Sequence, residues 1–129
     1  MVAAPDGNIF IADGHNNNGN NRVMKFTSDG EYIMEWGQTG YAPGEFRAQH
    51  AIEMDSRGRI FVGDRSNNRV QIFDQEGTHL ATWTQFGRPS GIAFDTNGQV
   101  FVTDSESDPV PGIQAGRWGS GSETPRRAG

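Results

Sequence analysis

The side chains with the greatest chemical reach in this sequence are His50 and Arg65, which bracket HAIEMDSRGRIFVGDR, and His15 in the loop DGHNNNGNN. A neutral imidazole is a metal ligand, or a base that titrates near neutrality, and a guanidinium can grip a carboxylate in a bidentate fork. One histidine does not hold zinc by itself, so a metal role for His50 requires partners. Each residue also has a plainer reading. His50 can be a solvated residue at a strand start, Arg65 a salt-bridged loop residue, and His15 a polar loop residue. His79 sits on an outer strand and reads as a surface residue.

The three aspartates Asp13, Asp64 and Asp104 close equivalent apolar runs. Recurring carboxylates can point to calcium, but their repetition favours scaffolding, with each carboxylate accepting hydrogen bonds from turn backbone. Arg22 and Arg69 also recur, and we expect them to pair with an aspartate of a neighbouring blade. Cysteine is absent, which excludes disulfides and thiolate metal sites but fits any compartment. A net charge of −5 with scattered basic residues argues against a nucleic-acid surface. No apolar run approaches the roughly 18 residues of a membrane helix, and no signal-peptide succession is present, so the chain reads as soluble.

The elements that must position these residues are short strands. From His50 to Trp83, four apolar runs (Ala51–Met54, Ile60–Val62, Val70–Phe73 and Leu80–Trp83) end in polar or glycine-bearing corners. They are too short for helices and rich in β-branched and aromatic residues, so they predict one four-stranded antiparallel blade. NNRVMKFTSDGEYIMEW, from Asn20, superposes on NNRVQIFDQEGTHLATW, from Asn67, at an offset of about 47 residues. GIAFDTNGQVFVTD, from Gly91, superposes on the segment from Ala51 to Asp64, and the stretch from Met1 to Asp13 matches Ile52 to Asp64.

The resulting expectation is an all-β propeller arc of about two and a half blades: 1–37, 38–84 and the half blade 85–104. Residues 105–129 lack alternation and are expected to be a disordered tail. In the crossing 37–49, Tyr41 and Phe46 are expected to tuck under the blade edge, and Trp36 and Trp83 to pack between blades. An arc leaves two apolar faces uncovered, so it must be completed by further blades or by identical chains. The first is favoured, as a piece of a larger protein; a pair of identical chains would give about five blades.

The succession GIAFD, GQVFVTD, NNRVQIFD, GTHL and W resembles NHL repeats, which implies a β-propeller, usually six-bladed. A narrower resemblance is to the lyase domain of peptidylglycine α-amidating enzymes and its bacterial relatives. It is carried by ADG at 12–14, NRVMKF at 21–26, EWG at 35–37, PGEF at 43–46, HAIEMDSRGRIFVGDR at 50–65 and FGRPSGI at 86–92. The resemblance implies that His50 is one of three zinc ligands, that Arg65 lies in the active site, and that His15 falls where the family has a basic tyrosine. It also implies a peptide substrate, an α-hydroxyglycine cleaved to peptide amide and glyoxylate, and relatives that are often secreted or periplasmic. Gln49 stands where the family usually has proline, and the other two zinc histidines belong to blades outside this sequence. The alternative is a non-catalytic NHL module that binds a peptide or protein on one ring face.

Overall fold

The computed structural model describes residues 1–14, 20–85, 87–104 and 112–117. Their alternating apolar and polar residues form three antiparallel sheets. Blade one contains β1 (Val2–Ala3), β2 (Ile9–Asp13), β3 (Arg22–Phe26) and β4 (Tyr32–Trp36) in the order β1-β2-β3-β4. Blade two repeats it with β5 (Ala51–Met54), β6 (Ile60–Asp64), β7 (Arg69–Phe73) and β8 (His79–Trp83). Among the described residues, blade three has three strands, β9 (Pro89–Phe94), β10 (Gln99–Asp104) and β11 (Gly112–Arg117), with β10 in the middle.

The last strand corrects the expected tail. GIQAGR has few strand formers, yet all six of its residues pair with Gln99–Asp104 of β10. A neighbouring edge with unpaired backbone groups overrides weak local propensity. Residues 105–111 and 118–129 lie outside the described residues.

The blades pack face to face, and the core lies between them. Phe10 and Val23 of blade one meet Ile60, Val62 and Phe73 of blade two, with Phe46 of the crossing wedged among them. Trp36 bridges the two blades, its ring 6.2 Å from Phe10 and 5.7 Å from Phe73. Phe61, Val70, Ile72 and Trp83 of blade two meet Val100 and Val102 of blade three in the same way. Each fully buried Phe contributes up to roughly 3 kcal/mol of transfer free energy. Phe46 is fully buried as expected, whereas Tyr41 is 66% exposed, its outward ring covered by the Arg47 guanidinium at 4.8 Å.

The exposed Ile33 and Leu80 occupy equivalent positions. In both blades the outer-strand register skips one residue, between Met34 and Tyr32 opposite β3 and between Ala81 and His79 opposite β7. The skipped residue is the exposed aliphatic one, as expected of a β-bulge that turns a side chain out of the sheet pattern.

Candidate functional site

Register brings His50 and Arg65 to one end of blade two. Ala51 pairs with Gly63, and the backbone N–H of His50 donates to the Gly63 carbonyl at 3.0 Å, so His50 enters β5 where β6 is ending. Arg65 directly follows Asp64, the last residue of β6. His50 is exposed and Arg65 half-buried. Arg65 opens a 3-10 turn, Arg65–Asn67, that closes when Asn68, at φ 55°, donates its N–H to the Arg65 carbonyl at 3.2 Å. β5 is the first strand of its blade and lies against both β1 and β9, so it borders the first strands of all three blades.

The rigidity of that end comes from Asp64. Its side chain is fully buried, and Oδ1 accepts the Arg47 N–H at 2.7 Å. Oδ2 accepts Arg69 Nε at 2.8 Å, Asn67 Nδ2 at 2.9 Å and Gln71 Nε2 at 3.2 Å. A buried carboxylate is tolerable only when its lone pairs are filled and a cation is adjacent, and both conditions hold here. Ser66 donates its N–H to the Arg47 carbonyl at 3.1 Å, so the residues on both sides of Arg65 are tied to Arg47.

The segment 47–49 is equally fixed to blade one. Buried Asn21 accepts the Ala48 N–H at 3.0 Å and donates to Thr39 Oγ1 at 2.8 Å, and Gln49 Nε2 donates to the Arg22 carbonyl at 2.8 Å. Gln49 is itself buried, and a Cβ on Gly14 would collide with its Oε1, so Gly14 is where the loop and the crossing meet. Among the described residues that buried Oε1 has no hydrogen-bond partner. At the position where proline was expected, the amide of Gln49 fastens blade one to the approach to His50.

The other sequence expectations divide. Arg22 and Arg69 do pair with aspartates, but within their own blades. Asp13 faces Arg22 and Asp64 faces Arg69 as cross-strand partners, with Nε to Oδ2 distances of 3.0 and 2.8 Å. The cross-strand position brings the charges together without any neighbouring blade. Asp64 is scaffolding, as its repetition implied. His79 is not simply a surface residue: its ring lies 5.7 Å from Phe73, and burial together with the Arg69 charge lowers its pKa below the usual imidazole value. His15 lies outside the described residues.

The described residues do not by themselves complete a zinc or calcium site. Among the described residues there is no group of three or more His, Cys, Asp or Glu side chains able to hold a metal. Zinc sites take three or four such ligands, and both oxygens of Asp64 are already committed. At the opposite end of the blades, a polar groove of about 260 Å³ runs between two corner turns, lined by Asp55, Arg57, Arg59, Thr96 and Asn97. The Arg59–Asp55 ion pair forms part of its wall. Sequence reasoning did not single out this groove or the buried polar residues Asn21 and Gln71. The repeated NNRV was the one available signal for the polar set. No described helix is long and apolar enough to cross a membrane.

Comparison with known proteins places these features. The NHL repeat pattern matches residues 50–73 and 86–107. Peptidyl-glycine alpha-amidating monooxygenase B of Xenopus laevis is 35% identical over 123 residues, 83% of this chain and 14% of its own length. The A form from the same organism is 39% identical over 64 residues, 46% of this chain and 6% of its length. NHL repeat-containing protein 3 of Homo sapiens is 37% identical over 59 residues, 46% of the chain and 17% of its length. The chain thus spans less than a fifth of each of these relatives. Among solved structures, a protein of unknown function from Bacteroides caccae superposes with a TM-score of 0.60 at 20% identity, over 98% of this chain and 48% of that one. A catalytically inactive virginiamycin B lyase from Staphylococcus aureus, solved with quinupristin, also gives 0.60, at 17% identity, over 92% of this chain and 40% of that one. At those identities the likeness shows the fold alone.

Proposed function

Because the chain is an NHL-repeat, β-propeller-like domain related to part of peptidyl-glycine alpha-amidating monooxygenase, we propose that it supplies one blade-end of an amidating-lyase site. The reaction is cleavage of a peptide ending in α-hydroxyglycine. The hydroxyl loses its proton, its oxygen forms the C=O of glyoxylate as the bond from the α-carbon to nitrogen breaks, and the departing amide nitrogen takes up a proton, so that peptide amide and glyoxylate leave. Arg65 is the residue to hold the terminal carboxylate, because a guanidinium meets it with two parallel N–H donors. His15 is the candidate base. His50 is a candidate zinc ligand whose companions would come from outside the described residues, so no step is assigned to the metal.

The observation that supports this reading is the juxtaposition of His50 and Arg65 at one end of β5 and β6, within the 35% identity to the amphibian enzyme. The isolated chain is expected to be inactive or nearly so. The test is glyoxylate release from a synthetic α-hydroxyglycine peptide by an assembled ring containing this chain. His50→Ala and Arg65→Ala should each abolish turnover. No turnover in an assembled ring, or turnover that both variants retain, would overturn the proposal.

A second reading, a non-catalytic NHL module that binds a peptide or protein, is favoured by the similar identity to NHL repeat-containing protein 3 and by the lack of a described ligand set. Zinc content of the assembled ring separates the two. Stoichiometric metal that is lost in His50→Ala supports the lyase reading, and a metal-free ring supports the module.

A further inference from the structure

The corners of the repeat separate what folding requires from what it leaves open. Among the described residues, Ala4–Asn8, Thr27–Glu31, Asp55–Arg59, Asp74–Thr78 and Asp95–Gln99 close in the same way. The N–H of the first residue donates to the carbonyl of the fifth, and the N–H of a glycine in fourth place donates to the carbonyl of the first. This closure uses backbone groups and the glycine, so the side chains in third and fifth place are free to vary. They are Asp6 and Asn8, Asp29 and Glu31, Glu76 and Thr78, and Asn97 and Gln99, all acidic or neutral. In the remaining corner, between β5 and β6, they are Arg57 and Arg59. The turn does not need these two cations.

Both arginines line the polar groove of about 260 Å³, with Thr96 and Asn97 of the blade-three corner on its other side. Asp55 is fully committed within its own corner. Oδ1 accepts the N–H groups of Arg57 at 3.0 Å and Arg59 at 2.9 Å, and Oδ2 lies 2.6 Å from both Nε and Nη2 of Arg59. The Asp55 charge is therefore balanced by Arg59, and both side chains are largely buried. Arg57 differs: it is exposed, and among the described residues nothing pairs with its guanidinium. Asp95, the carboxylate of the blade-three corner, uses Oδ1 on the N–H groups of Asn97 at 2.9 Å and Gln99 at 2.8 Å. The lining thus sets two arginines against one carboxylate, a local excess of positive charge on a chain with a net charge of −5.

We propose that this groove binds a small tetrahedral oxyanion, inorganic phosphate or the phosphate of a monoester, at the end of the blades opposite His50. The inference does not depend on the lyase reading. Arg57 supplies the charged fork, and Ser56, Thr96 and Asn97 add hydroxyl and amide donors to the lining. Donors on two walls suit a ligand whose acceptor oxygens point in four directions. A planar carboxylate is satisfied by one guanidinium fork and gains less from the second wall. The groove is smaller than the roughly 300 Å³ at which pockets for drug-sized ligands begin, so it fits one anionic group rather than a whole organic molecule.

The experiment titrates the isotope-labelled full chain with inorganic phosphate at constant ionic strength and follows amide and arginine side-chain resonances by NMR, with acetate and O-phosphoserine titrated in parallel. Phosphate should give saturable shifts confined to residues 55–59 and 95–99, and acetate should bind about fivefold more weakly. Arg57→Gln, at an exposed position that leaves the backbone closure of the corner intact, should weaken phosphate binding about tenfold. Thr96→Val, on the other wall, should weaken it about threefold. Phosphoserine binding at least as tightly as phosphate assigns the site to a monoester, and weaker binding assigns it to the free ion; either supports the proposal. No saturable shift at millimolar phosphate, shifts spread over arginines elsewhere, acetate equal to phosphate, or unchanged affinity in Arg57→Gln would overturn it.

Discussion

The Arg47 amide donates to the Asp64 carboxylate at 2.7 Å, and through that bond the end of one strand holds the entrance to another. Asp64 closes β6 and Arg47 lies three residues before His50, so the contact sets the spacing between His50 and Arg65. The carboxylate itself is too buried and too fully bonded to take part in chemistry. Its role is positional.

Asp64→Ala should therefore be among the most damaging single changes. It leaves the largely buried Arg69 guanidinium and the Arg47 amide without their acceptor, and should cost about 3–5 kcal/mol. Asp64→Asn keeps one acceptor oxygen and should cost about 1–3 kcal/mol. His50→Ala, at an exposed position, should change stability by no more than about 0.5 kcal/mol. Urea unfolding of the three variants checks the order, and an Asp64→Ala loss near that of His50→Ala would refute the role assigned to the carboxylate.

Asn21 and Asn68 are repeat equivalents that share a left-handed backbone, φ 51° and 55°, but carry different loads. Asn21 is buried and bonds Ala48 and Thr39, whereas Asn68 is exposed. Asn21→Gly keeps the backbone but strands the Ala48 N–H, for a cost of about 1–3 kcal/mol. Asn68→Gly should alter stability by only a few tenths of a kcal/mol, roughly neutral. Equal effects in thermal melts would mean that Asn21 acts through its backbone alone.

What could be read before the structure was whatever the repeat states twice. Strand order and the blade count up to Asp104 follow from alternation and register, which local sequence encodes. β11 was hidden because its pairing comes from the edge of β10 rather than from GIQAGR itself. The exposure of Tyr41 was also hidden, because two aromatics in one loop compete for one inter-blade gap and Phe46 fills it. The burial of the Asn21, Gln49 and Gln71 amides was hidden because their partners are backbone groups more than 20 residues away.

Gly30 and Gly77 separate backbone strain from crowding. Both occupy the same corner at φ 88° and 83°, but a Cβ on Gly30 would meet nothing within 4 Å, while one on Gly77 would lie 2.8 Å from Cδ2 of Trp36. Gly30→Ala should cost about 1 kcal/mol from the left-handed backbone. Gly77→Ala adds displacement of the indole that bridges blades one and two, for a further ~1–3 kcal/mol. Unfolding midpoints measured side by side give the difference directly, and no difference would mean that Trp36 yields freely.

Asp74 makes blade two acid-sensitive. Burial alone would raise its pKa, but the amides of Thr78 and Glu76, both donating to Oδ1 at 2.9 Å, and the nearby Lys25 charge outweigh it and hold the pKa below the ordinary 3.8. Because the folded value is the lower one, the carboxylate contributes stability that is complete above the unfolded pKa. That contribution is lost as pH falls through the folded value. Asp74→Asn retains an acceptor for the two amides but not the charge, so the parent chain should be the more stable at pH 6, with the gap closing as pH falls below about 4. Denaturant midpoints for the two proteins across that range provide the measurement. A gap that stays constant would assign the effect to the turn geometry and remove the charge from the explanation.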